Sequence, residues 1–155
     1  LPVCVETICT EFYVEARCGK CGQTGTNERD NHLYLNLHDG FIGCSRYFNK
    51  CALTHWQDYY ERLTGFKEQR LPQWKLRQKC KKYTWQVGDE SNMSLVVSLN
   101  TICKQGADTW CYLRSDFVCY ASDVNDRGEL KRRKLEQLLN HWGIRMSEYK
   151  WRDSD

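Results

Sequence analysis

Apolar and polar positions alternate in the first part of the chain and change period later. Between residues 3 and 17, Val3, Val5, Phe12, Val14 and Ala16 stand among polar neighbours, a pattern that predicts one or two strands. Residues 19 to 31 carry Gly, Thr and Asn and predict a loop. From His32 to Leu37 the alternation is strict, with Leu33, Leu35 and Leu37 on one face, and His38-Asp39-Gly40 then supplies turn chemistry before Phe41 to Cys44. This predicts a β-hairpin. Over 52 to 64 the period lengthens to three and four, through Leu53, Trp56, Tyr60 and Leu63, with Gly65 where a C-terminal cap belongs. That is an amphipathic helix.

Pro72 excludes a helix centred on it, and the mixed stretch from Gln73 to Val87 ends strand-like. Leu95 to Cys103 and Trp110 to Tyr120 are β-rich and flank a Gly106 turn. They predict a second hairpin, with Cys103 and Cys111 brought close. Asp126 and Glu129 are spaced as a capping box, followed by the stripe Leu130, Leu135, Leu138, Leu139 and Trp142 and by Gly143. A C-terminal amphipathic helix follows from these signals. The expected fold class is α+β: antiparallel β hairpins with one mid-chain helix and a C-terminal helix. A single compact domain over residues 1–155 is expected, with a frayed tail at 146–155.

The cysteines change the picture most. Ten stand in 155 residues, at Cys4, Cys9, Cys18, Cys21, Cys44, Cys51, Cys80, Cys103, Cys111 and Cys119. An even count predicts disulfide bridges stapling the fold, in a pairing that spacing alone does not give. A zinc knuckle at Cys18-Gly19-Lys20-Cys21, completed from Cys4, Cys9 or Cys44, ranks second, because there is no second CxxC and no closely spaced His pair. A redox CxxC ranks third, since Gly22 to Asn27 is loop rather than helix. No metal and no cofactor are therefore expected. Asn92-Met93-Ser94 is a glycosylation sequon, and Leu1 in place of Met reads as a processed amino terminus with its signal peptide removed. Together these predict a secreted glycoprotein. The longest nearly apolar run, Ser94 to Ile102, is too short to span a bilayer.

The net charge is only +3, but residues 69–134 hold 13 basic side chains against 7 acidic ones. One cluster is Arg70, Lys75, Arg77, Lys79, Lys81 and Lys82, interleaved with Trp74. A second is Lys131, Arg132, Arg133 and Lys134 on the last helix. Such a basic, aromatic surface suits an acidic or anionic partner. The function expected is that of a small secreted binding protein: an effector or toxin, a cytokine-like ligand, or a receptor-blocking factor. Its partner would be an extracellular protein receptor or an anionic glycan, and no nucleic acid is expected. Two alternatives are a small hydrolase, phospholipase-like or ribonuclease-like, using His55 with Asp58 or using His38, and a lectin-like module. No nucleophile elbow or phosphate loop supports an enzyme.

Overall fold

The computed structural model describes residues 4–5, 12–25, 31–64, 92–102, 107–113, 115–117, 129–144 and 146–148. They form an α+β fold of two antiparallel sheets and two helices. The strands are β1 (Cys4–Val5), β2 (Phe12–Glu15), β3 (Leu33–Asn36), β4 (Ile42–Cys44), β5 (Leu95–Ser98), β6 (Thr109–Cys111), β7 (Asp116–Phe117) and β8 (Met146–Glu148). The helices are α1 (Cys51–Thr64) and α2 (Glu129–His141).

The larger sheet runs β4-β3-β5-β6-β7. The expected first hairpin is present, with Leu33 opposite Cys44, Tyr34 opposite Gly43 and Leu35 opposite Ile42. Its turn is held by Asn36, whose Oδ1 accepts the His38 and Asp39 amides at 2.8 and 3.3 Å, while Gly40 takes a φ of +78° that favours glycine. Beyond this hairpin, β3 also pairs with β5, Leu35 facing Val97. This places β3 and β5 in the interior of the sheet, and all four β5 residues are buried, as befits a strand covered on both faces. The second hairpin forms between β5 and β6, but its register sets Cys111 opposite Leu95. Cys103 lies outside the described residues.

Helix α1 packs on β3 and β4. Trp56 is fully buried, donates its indole N–H to Ser94 Oγ at 3.0 Å, and stacks between Tyr60 and Tyr112 at ring separations of 5.3 and 4.9 Å. Leu33, Leu35, Leu37, Val97, Leu99 and Ile102 share its core, as do Leu135, Leu138 and Leu139 of α2. The α2 stop is the expected one: Gly143 has a φ of +69°, and the Gly143 and Ile144 amides return to the Asn140 and Leu139 carbonyls in the pattern of a Schellman cap. The Asp126 cap lies outside the described residues.

The smaller sheet, β1-β2-β8, joins the two ends of the chain. Met146 begins a strand rather than a frayed tail, pairing opposite Val14, with Ser147 opposite Tyr13 and Glu148 opposite Phe12. Residues 149–155 lie outside the described residues. The disulfide staples are corrected: Cys18, Cys21, Cys44 and Cys51 are unbridged thiols. The Cys21 and Cys44 sulfurs stand 3.1 Å apart, about 1 Å beyond a disulfide bond.

Replacing Trp56 by Ala removes the hinge of this packing and is expected to cost about 3–5 kcal/mol, measured by urea unfolding. Trp56→Phe, which keeps a ring but drops the Ser94 bond, should cost clearly less.

Candidate metal centre

Four cysteines from three places in the chain converge. Cys18 and Cys21 follow β2, Cys44 ends β4, and Cys51 opens α1. Their sulfurs all lie within 4.8 Å of one another. Four sulfurs about 2.3 Å from a tetrahedral zinc stand roughly 3.8 Å apart, so the cluster is of the right size. An all-thiolate tetrahedral set is the donor chemistry of zinc or of an iron–sulfur centre.

Local backbone geometry explains the convergence. The Cys18–Cys21 segment curls so that the Lys20 and Cys21 amides both point at Cys18 Sγ, each at 3.4 Å. Gly22 closes the curl at a φ of +75°, and its amide donates to the Cys18 carbonyl at 3.0 Å. The curl is tied to the hairpin by the Gly19 amide, which donates to the Ile42 carbonyl at 2.7 Å. On the other side, Gly43 lies directly against the first turn of α1. A Cβ there would overlap the Ala52 amide and stand 2.8 Å from its Cα. Only glycine lets the backbones of β4 and α1 approach this closely, and that approach brings Cys51 to Cys44. Lys50, just before Cys51, adopts a φ of +59°, and its amide donates to the Ser45 carbonyl at 3.0 Å. The chain therefore turns sharply from strand to helix between the last two sulfurs.

The electrostatics call for a cation. Burial works to raise the Cys21 thiol, but hydrogen bonds with Asn49, the Gln23 backbone, Cys44 and Cys18 outweigh it and bring it to about 6. Burial and the sulfurs of Cys18 and Cys21 push Cys51 up to about 11. Cys44 is pushed up further by the same causes, burial first. The Cys21 thiolate is favoured, and Cys44 and Cys51 resist ionising beside it. A divalent ion removes that conflict, because it stabilises several thiolates at once.

The sequence match agrees. The family described as Zn-finger in ubiquitin-hydrolases and other protein matches residues 4–123. The chain belongs to this zinc-finger family. No curated protein and no solved structure matches the chain.

These findings overturn the secreted reading. Four of the ten cysteines that were expected to be bridged form a zinc-type cluster, and the family is a zinc-finger family. The glycoprotein expectation falls with it. Asn92 is fully buried and does not offer its amide to a glycan. The extracellular receptor, anionic-glycan and lectin-like assignments rested on the same premise and are withdrawn with it. The knuckle that ranked second is the one the fold uses, but its partners are Cys44 and Cys51. Sequence reading had named Cys44 as a candidate and had missed Cys51. Cys4 lies on β1, Cys111 is buried in β6, and Cys9, Cys80, Cys103 and Cys119 lie outside the described residues.

The histidines of the alternative hydrolase reading make contacts within the fold. His55 does not use Asp58. Its Nε2 bonds Asp39 Oδ2 at 2.5 Å, and its ring stacks on Phe41 at 3.9 Å. His38 Nε2 meets the Tyr59 hydroxyl at 2.8 Å. Both contacts fasten the β3–β4 turn to α1. Of the expected basic surface, Arg70, Trp74, Lys75, Arg77, Lys79, Lys81 and Lys82 lie outside the described residues. Lys131, Arg132, Arg133 and Lys134 stand on α2.

Purified chain is expected to carry one zinc at this cluster, counted by elemental mass spectrometry, and a chelator should lower its melting temperature. Gly43→Ala should weaken zinc retention and cost about 1–3 kcal/mol through overpacking. A second expectation concerns Asp39. Burial opposes ionisation there, but the His55 bond, the Phe41 amide and the charges of His55 and His38 hold the carboxyl below its usual value. A value lower in the folded than in the unfolded chain adds stability above the unfolded value, and that stability is lost as pH falls through the folded one. Asp39→Asn should thus lower the melting temperature near neutrality, with the gap to wild type closing below roughly pH 4.

Proposed function

We propose that the chain is a zinc-stabilised protein-recognition module of the ubiquitin system, and that the metal is structural. The observation that carries this reading is the closed donor set: four protein sulfurs leave a tetrahedral ion no open position for water or substrate. Cys18, Cys21, Cys44 and Cys51 would hold the ion, and what it supplies is the cross-link between the knuckle, β4 and α1. The family's description supports the ubiquitin system as the setting.

A contact surface lies beside the metal site. Immediately after Cys44, the chain exposes Tyr47 and Phe48, at 59% and 43%. They are the large apolar side chains most open to water among the described residues, and such exposure at a rigid turn favours a docking role. Arg46 stands over the Tyr47 ring at 5.0 Å and the Trp110 ring at 5.4 Å, and it donates to the Tyr47 hydroxyl at 3.0 Å. Two aromatic rings fix the guanidinium in place, which suits a carboxylate of a protein partner. The turn is set by Ser45, whose Oγ accepts the Tyr47 amide at 3.1 Å. The metal thus orders the residues that present this surface.

Calorimetric titration of the zinc-loaded chain with ubiquitin tests the reading. Saturable binding is expected, weakened at least about tenfold, or roughly 1.4 kcal/mol, by Arg46→Ala or Tyr47→Ala. Zinc content should stay unchanged in both variants. Zinc-loaded protein that ignores ubiquitin would exclude this partner.

A further inference from the structure

The family match ends at residue 123, yet described residues past that point are built into the fold. Leu135, Leu138, Leu139 and Ile144 belong to the hydrophobic core, and β8 completes the smaller sheet. Two contacts run from this segment toward the metal knuckle. Along the first, β8 pairs with β2 from Phe12 to Val14, and β2 ends at Glu15, three residues before Cys18. Along the second, Trp142 lies so close to Gly40 that a Cβ there would overlap its ring. Gly40 leads directly into Phe41, whose ring would stand 3.2 Å from a Cβ placed on Gly19, inside the knuckle.

We infer that residues 129–144 and 146–148, outside the family's matched stretch, act as a strap that sets how readily the Cys18–Cys21 knuckle lets its zinc go. The strap grips the knuckle from behind, through β2, and from the side, through Trp142, Gly40 and Phe41. Its last strand, β8, is placed to let go. β8 is three residues long and lies at a sheet edge, and short edge elements open at a fraction of the free energy of global unfolding. When β8 unpairs, β2 loses one of its two neighbours, and Cys18 and Cys21 keep β1, the Gly19 bond and the burial of Val14, Ala16 and Cys18 as anchors. Cys44 and Cys51 sit on β4 and α1, on the far side of the cage, and remain in place. Any partner or modification that displaces β8 would then act on the metal. The inference rests on the zinc reading above.

The test uses the full chain loaded with zinc. In an antiparallel pair, successive residues turn their amides alternately toward and away from the partner strand. One of Met146→Pro and Ser147→Pro therefore removes a ladder donor, whichever residue holds it. Trp142→Ala loosens the second grip without touching the strand. Zinc transfer to a colorimetric chelator is timed, and hydrogen exchange is read by peptide mass spectrometry. The strap predicts transfer about tenfold faster in Trp142→Ala and in one or both proline variants, with faster exchange confined to β2 and residues 18–22. Unchanged transfer rates overturn it. So does faster exchange that spreads equally over α1 and β5, which is the mark of general destabilisation. A wild-type chain that carries no zinc removes the metal site itself, and the strap with it.

Discussion

Four sulfurs packed together are mutually repulsive once they ionise, and the rest of the molecule is arranged around resolving that repulsion. The three chain positions that supply them belong to different elements, drawn together by the close backbone contact at Gly43 and the Gly19 bond. The knuckle after β2 is loop, Cys44 is the end of a strand, and Cys51 is the start of a helix. Apolar packing brings α1 onto β3 and β4 through Trp56 and the leucines of β3, and it takes in Ala16 and Cys18 at the start of the knuckle. A dication would add to that joint with bonds rather than with area. For a chain of this size, a metal cross-link compensates for the modest core that a short sequence can bury. The same cross-link reaches the surface, because the ligand Cys44 is followed at once by the turn that displays Arg46, Tyr47 and Phe48.

Much of the local structure was legible in the sequence. The β3–β4 hairpin could be read from Leu33, Leu35 and Leu37 and from Asp39-Gly40. Helix α1 could be read from Leu53, Trp56 and Tyr60, and the end of α2 from Gly143. Each signal is local, a period or a turn residue, and local physics decides it. The pairing of β3 with β5 and of β2 with β8 is not local. Nothing in the alternation of Leu35 says that it will face Val97, or that Met146 will return to Val14.

The metal site failed to be read for a different reason. Nearby cysteines satisfy a disulfide and a zinc ion equally well, so the even count that pointed to bridges did not discriminate between them. The discriminating feature was Cys44 followed by Cys51 at a strand-to-helix corner, with Gly43 beside it. The six residues between those cysteines exceed a familiar knuckle spacing, so the pair did not register as one. Gly43 carried the missing information. A glycine inside a predicted strand marks a place where another backbone approaches, and here that backbone is the first turn of α1. His55 misled in the opposite direction. It was paired with Asp58 on helical spacing, whereas Asp39, far away in sequence, was the carboxylate in reach.

The contact at Gly43 also bears on ion choice. Backbone against backbone has no rotamer to adjust, so the separation of β4 from α1 is set by rigid atoms, and Cys44 and Cys51 form a jaw of fixed gape. The opposite jaw is a glycine-flanked curl tied to β4 by the Gly19 amide. A thiophilic cation with a larger radius than zinc would have to displace the curl, because the fixed jaw does not yield. The cage therefore has a stiff half and a compliant half, and discrimination by ionic size falls to the compliant one.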